Sequence, residues 1–221
     1  MRKKIVIFLL VILIVIVAGG SYVYHHSRTH EKRDYIQRLV NERKLVSMIH
    51  TGDIICRKGN GIWSDLFRDL SSRDKRFSHV GMTIVNEDGH ISVVHSEAND
   101  FTGAGSVYEQ DLIDYMYEGD GIAIYRLKKE FNEHLPHAAE LAAIMREFIG
   151  IPFDFKFDLA TDNSLYCTEY VYSVYNRLTP SVDLSITTRN TKRFIPVDSC
   201  NDPQYFVEIA SLDYILDPDQ K

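Results

Sequence analysis

A charge-free run near the N-terminus decides how the rest of this chain can be used. Met1-Arg2-Lys3-Lys4 is basic, residues 5–20 carry no charge, and Ser21-Tyr22-Val23-Tyr24 extends the run with tyrosines at the level of an interfacial belt. About 20 apolar residues are what a helix needs to cross a bilayer. Basic residues ahead of such a run leave the N-terminus in the cytoplasm and send the following chain outside. The spacing predicts a transmembrane anchor over residues 1–24. A cleaved signal peptide would begin the same way, but the run is long for its apolar region, and Val17-Ala18-Gly19-Gly20 is a poor small-x-small cleavage site. No cysteine follows, which argues against a lipid anchor of the lipoprotein type. On either reading the domain is exported, and the first predicts a membrane-tethered domain on the extracytoplasmic side, in the cell envelope.

Residues 25–45 are polar and charged, with Tyr35, Leu39 and Val40 at helical offsets, and read as a juxtamembrane helix or linker. Residues 46–221 then form one medium-sized domain with a core of its own. Net charge is -6 and the isoelectric point about 5.8, which argues against a nucleic-acid partner, since that needs clustered Lys and Arg. The chain has three cysteines, Cys56, Cys167 and Cys200, and they cannot all pair. In an oxidising compartment one thiol stays free; Cys167 is the choice, and Cys56 and Cys200 are then candidates for a disulfide. No zinc-type Cys/His spacing occurs, so no metal and no cofactor is expected.

Cys167 is chosen for its setting. Tyr170, Val171, Val174, Tyr175 and Leu178 recur at helical spacing, and Thr161-Asp162-Asn163-Ser164 is a loop composition. The cysteine therefore falls in the first turn of a helix, where free N–H groups and the dipole favour a thiolate. Its base is sought in Phe77-Ser78-His79-Val80-Gly81-Met82. Residues 78–85 read as a strand, Asn86-Glu87-Asp88-Gly89 as a hairpin turn and residues 91–98 as the returning strand. Along the latter His95 and Glu97 share one face by the period of two, so both can reach His79. Residues 54–56, 121–127 and 205–214 read as further strands and residues 136–149 as a helix. Residues 101–117, with Gly103 and Gly105, read as an irregular, mobile loop.

The short motifs along the chain add a family. Thr51-Gly52-Asp53-Ile54-Ile55, Ser78-His79-Val80-Gly81, Ser96-Glu97-Ala98, Ile124-Tyr125-Arg126-Leu127, Gly150-Ile151-Pro152-Phe153-Asp154, Tyr166-Cys167-Thr168-Glu169 and Ile195-Pro196-Val197-Asp198 stand in this order. Together they resemble the circularly permuted branch of the NlpC-type papain-like cysteine hydrolases, the YiiX/YebB-like group. Phe153 replaces that group's Tyr, and Thr168 its Ser. The resemblance implies an α+β fold, an antiparallel sheet or barrel packed against helices with the nucleophile at a helix N-terminus. It implies Cys167 as nucleophile and His79 as base. Glu97 is preferred as the orienting group because a carboxylate also stabilises an imidazolium; His95 is the alternative.

The implied activity is thiol-dependent cleavage or transfer at an amide, ester or thioester. The substrate is an envelope peptide or a lipid. Tyr166 and Trp63 are candidate substrate-binding residues. Asp154 reads as structural, and Glu169 either as pointing to solvent or as an early-helix charge favourable to the dipole. The alternatives are a non-catalytic lipid- or peptide-binding module using the same cleft, and an envelope scaffold. Oligomeric state is left open.

Overall fold

The computed structural model describes residues 2–214 apart from residues 62, 100, 134, 158, 160–162, 179–181 and 190–191, and without the side chains of residues 2–9, 11 and 23–28. Part of the loop expected before Cys167, Thr161-Asp162, thus lies outside the described residues. In chain order the elements are α1 (Arg2–Glu42), β1 (Ile54–Gly59), α2 (Ser64–Leu70), β2 (His79–Val85), β3 (Ile91–Ala98), β4 (Gly105–Asp111), α3 (Leu112–Tyr117), β5 (Gly119–Leu127), α4 (Lys129–Asn132), α5 (Ala138–Arg146), α6 (Cys167–Leu178), β6 (Thr187–Arg189), β7 (Lys192–Phe194) and β8 (Phe206–Asp213).

Six strands form one antiparallel sheet in the order β4-β3-β2-β1-β5-β8. β4 and β8 are its edges, so the sheet is open rather than a barrel. Alternation along each strand sends side chains to two cores. Ile54, Cys56, Val80, Met82, Ile84 and Val94 meet α5 and α6 on one face. Ile55, Ile91, Val93, Ile122 and Ile124 meet α3 and the end of α1 on the other. Helix α6 forms where expected because Tyr170, Val171, Val174 and Tyr175 make one fully buried stripe.

Two observations bear on the N-terminal expectations. First, α1 is one unbroken helix of 41 residues that runs through both the expected anchor and the expected juxtamembrane segment. Its last turns belong to the domain: Ile36 and Val40 are buried in the second core, and Lys32 Nζ donates to the Gly119 carbonyl at 2.9 Å. Second, among the described residues no helix is long and apolar enough to cross a membrane. The described part of the apolar run covers little more than its second half, Leu10 and residues 12–20, and there Leu10 and every residue from 12 to 17 is exposed.

Two further expectations are corrected. Residues 101–117 are mostly regular, because β4 and α3 lie within them. Asp111 caps α3, its carboxylate accepting from the Ile113 and Asp114 amides. The glycines suggested irregularity, but Ser106, Tyr108 and Gln110 share one face of β4 while Val107 is buried on the other. Cys56 and Cys200 are both free thiols, like Cys167.

The short motifs turn out to be fastenings. Asp53 is buried, accepts two bonds from Arg126, at 2.8 Å and 2.7 Å, and a third from the His50 amide at 2.7 Å. Gly150, at φ +91°, ends the turn after α5 in a conformation that residues with a Cβ disfavour. Its amide donates to the Val107 carbonyl, and Phe153 to that of Gly105, so residues 150–153 run along β4. The Asp198 carboxylate accepts the Ser72 and Arg73 amides at 2.8 Å and 2.6 Å, tying the C-terminal part of the chain to the loop after α2.

Candidate active site

The β2–β3 ladder runs from Val85↔Ile91 to Met82↔Val94 and stops there. Beyond that point the N-terminus of α6 presents Cys167, whose thiolate the Val80 and Thr168 amides favour. The thiol thus lies near the strand residue that follows His79. Ser96 Oγ donates to the Leu165 carbonyl, and the Leu165 amide donates to Pro152 at 2.9 Å, so the approach to the helix is pinned to β3 and to the loop beside β4. Tyr166 OH accepts from the Ile195 amide at 2.9 Å, and Thr168 Oγ1 donates to the Ile195 carbonyl at 2.6 Å. Glu169 is buried, not solvent-facing; its carboxylate reaches back to the Tyr166 amide at 3.4 Å, half of a capping box.

His79 and His95 meet at the same end of the ladder. His79 Nε2 lies 2.8 Å from His95 Nδ1, with the rings nearly perpendicular at 87°. Gly81 makes this contact possible. A Cβ placed there would stand 2.6 Å from Val93 Cγ1 and 3.0 Å from His95 Cβ. With no side chain at 81, the His95 ring occupies the space and reaches His79. Tyr115 of α3 closes the pocket behind both rings and donates its hydroxyl to the Ile55 carbonyl at 3.0 Å.

The far end of this contact fixes which nitrogen carries the proton. Glu118 Oε1 accepts from Gln110 Nε2 at 3.1 Å, which orients the amide so that Gln110 Oε1 faces His95 Nε2 at 3.0 Å. An amide oxygen only accepts, so His95 is protonated on Nε2 and accepts on Nδ1. His79 must then donate from Nε2, and its Nδ1 keeps a lone pair. That lone pair is what a base beside a thiol requires.

Glu97 is placed differently from the expectation. It pairs with the buried Arg57, whose other arm meets Glu118 at 2.9 Å, and it stands 3.6 Å from His95 Nδ1. The group touching His79 is therefore His95. Arg57 lies directly across from His79 in the β1–β2 register. Burial raises the Glu97 carboxyl, but Arg57 and then His95 pull it down further, and it ends below the usual range. Burial and the neighbouring Glu97 raise Glu118.

Electrostatics reverse one expectation. Burial pushes the Cys167 thiol up to about 12, although the Val80 and Thr168 amides pull it down. Burial, and then Arg57, hold His79 well below its ordinary value. His95 is held down by burial and then by His79. The resting pair is a neutral thiol beside a neutral imidazole, because desolvation outweighs the helix terminus.

Cys167 and His79 both open on one cavity of about 1010 Å³, as do Tyr166, Trp63, Glu97 and Arg57. All the candidate residues except the fully buried His95 therefore line it. Gln110, Glu118 and Arg57 were missed from the sequence. The signal for Gln110 was the alternation of β4, hidden by reading that stretch as irregular.

His79, His95 and Glu97 also place one donor atom each within 4.8 Å of one another, a possible metal set that sequence spacing did not announce. It does not fit a resident ion. The facing nitrogens of the two rings are bonded to each other, and the carboxylate already neutralises a buried guanidinium that would repel a cation.

An antiparallel sheet, a cysteine at a helix N-terminus and a histidine on the strand beside it define a papain-like thiol site, with the histidine first in the chain. Residues 48–199 match the permuted papain-like amidase enzyme family YaeF/YiiX, C92, and the chain belongs to that family. The fold is similar to the crystal structure of metalloprotein yiiX from Escherichia coli O157:H7, with a TM-score of 0.58 and 18% identity over 74% of this chain and 97% of that one. No curated protein matches the chain.

Proposed function

We propose that the protein is a cysteine-dependent amidase or acyl-transferring hydrolase in which Cys167 is the nucleophile, His79 its base and His95 the residue that orients the base. The observation that carries this is the run Glu118–Gln110–His95–His79, which leaves Nδ1 of His79 unprotonated on a residue that lines the same cavity as Cys167. Because thiol and imidazole rest neutral, the proton moves to His79 as the sulfur attacks the carbonyl carbon. The S–C bond forms, the carbonyl oxygen takes the negative charge, and the Cys167 amide at the start of α6 receives it. The C–X bond then breaks, X leaves with the proton from His79, and water or an acceptor alcohol or amine releases the acyl group. Glu97 acts through Arg57, closing the charge around the histidines. Tyr166 is a wall whose hydroxyl holds Ile195.

The exposed apolar side chains of α1 support the reading that residues 1–24 tether this domain to a membrane from the extracytoplasmic side. Alkaline extraction tests that part: the full chain stays with the membrane, and release of the full chain refutes the tether. For the chemistry, Cys167→Ala abolishes both labelling by an acyl-type thiol probe and turnover. Equal labelling in the variant rejects the assignment.

A further inference from the structure

A short stretch of chain joins α1 to the catalytic histidines. α3 has six residues, too few to hold a place by its own hydrogen bonds, so packing against its neighbours sets where it lies. One face of it supports the site. The Tyr115 ring stands with its centroid 5.0 Å from that of His95 and 5.9 Å from that of His79, and the Arg57 guanidinium lies 4.7 Å over it. The residue that follows the helix is Glu118, which accepts from Arg57 Nη1 at 2.9 Å and from Gln110 Nε2 at 3.1 Å. Gly119 comes next and runs against the Arg57 stem: a Cβ there would stand 2.6 Å from Arg57 Cγ. A shift of this turn therefore moves Glu118, on which the orientation of Gln110, and then of His95, depends.

α1 holds the turn from one side. Lys32 Nζ donates to the Gly119 carbonyl at 2.9 Å, stands 3.7 Å from Asp120 Oδ1 and lies 5.1 Å over the Tyr117 ring. One lysine thus touches the residues on both sides of Glu118. Its side chain is 18% exposed, so the bond to the carbonyl is made partly out of water, where a charge-assisted hydrogen bond is strong. Beside it Arg33 pairs with Asp114 in the first turn of α3. Further along α1, Ile36 and Val40 are buried in the same core as Tyr115 and Met116. The residue after β8 holds the turn from the other side: Tyr214 OH donates to the Met116 carbonyl at 2.8 Å, and its amide to that of Asp120 at 3.0 Å. The Gly119 carbonyl, next to Glu118, is held by Lys32.

We propose that Lys32 is a positioning residue for the thiol chemistry, holding the turn over residues 117–120 so that Glu118 orients Gln110 and the His95–His79 pair behind it. The proposal rests on the reading of Cys167 and His79 as nucleophile and base, and adds to it a residue that touches neither. Because α1 is unbroken from Arg2 to Glu42, the helix expected to enter the membrane is then also part of what keeps the site in its working tautomer. A merely structural lysine would fasten α1 to the domain and leave the histidines as they are.

The test uses the full chain in lipid nanodiscs. It reads kcat and KM on a soluble p-nitrophenyl ester, corrected by the rate of Cys167→Ala, and the 15N shifts of His79 and His95. Lys32→Met keeps the length of the side chain and loses the donor. Its kcat falls roughly two- to tenfold, the range that one hydrogen bond commands, with KM unchanged, and the His95 shifts move. Lys32→Arg keeps a donor and recovers most of the rate. In a Gln110→Leu background Lys32→Met costs nothing further, since the link it acts through is already cut. The proposal is overturned by a full rate in Lys32→Met, by a loss repeated in full in the Gln110→Leu background, or by unmoved histidine shifts. No Cys167-dependent turnover in the unmodified protein refutes the thiol-hydrolase reading instead; the 15N shifts in Lys32→Met then still decide whether α1 positions the histidine pair.

Discussion

Replacing Gln110 with leucine removes the one acceptor that the described residues offer His95 Nε2, 3.0 Å away. His95 then has two choices. It can keep its proton on Nε2 with no partner, at a cost of about 1–3 kcal/mol for a buried unsatisfied N–H. Or it can move the proton to Nδ1, which faces His79 Nε2 at 2.8 Å. In that case His79 must become the acceptor there, its own proton shifts to Nδ1, and it can no longer take a proton from Cys167. The first choice is the working tautomer, and it is the one disfavoured, by about 1–3 kcal/mol, which is roughly 5- to 150-fold in kcat/KM with KM little changed. Gln110→Glu keeps an acceptor and recovers most of the rate. Its added negative charge raises the pKa of the histidine pair, so the acid limb of its pH profile moves up. The assay is kcat/KM on a soluble ester, with the 15N shifts of His79 reporting the tautomer. If Gln110→Leu keeps its rate within about twofold, or if the His79 shifts match those of the unmodified protein, the tautomer argument is refuted. Loss of folding, read by near-UV circular dichroism, is separated from the tautomer effect by the recovery in Gln110→Glu.

Gly81→Ala puts a methyl 2.6 Å from Val93 Cγ1 and 3.0 Å from His95 Cβ, so it costs about 1–3 kcal/mol in denaturant unfolding and separates the two rings, with activity falling further than stability; an active, fully stable variant contradicts the packing described. His79 and His95 are both held below their ordinary value, so the unfolded chain binds protons that the folded one refuses. Stability is therefore full above about pH 6.5 and falls as pH drops below it, by up to about 1.4 kcal/mol per pH unit per histidine, and kcat/KM keeps its plateau to well below pH 6.5; a stability that rises on acidification through this range reverses the sign and sinks the argument. Asp53→Ala strips Arg126 of two bonds in a buried corner and costs about 3–5 kcal/mol, measured by urea unfolding, without shifting the pH profile. Denatured protein prepared without reductant titrates three thiols, as the unpaired Cys56, Cys167 and Cys200 require; one thiol would mean the disulfide.

What the sequence determined by itself is local. The stripe Tyr170, Val171, Val174, Tyr175 makes α6 wherever it lies, because one buried face at helical period suffices. Asn86-Glu87-Asp88-Gly89 joins β2 to β3, and that hairpin brings His79 and His95 to neighbouring strands. The order of short motifs was enough to indicate the family. Tertiary structure decided everything that depends on which atoms meet. His95 rather than Glu97 touches His79 because Gly81 opens a gap in one place, and because Arg57, across the strand pair, claims the carboxylate. Gln110 enters the site only when β4 pairs with β3, a long-range register that the glycines on either side of Ala104 concealed. The thiol's protonation state was likewise out of reach of the sequence. A helix start argues for a thiolate, but burial is a property of the whole fold, and here its cost outweighs the pull of the Val80 and Thr168 amides.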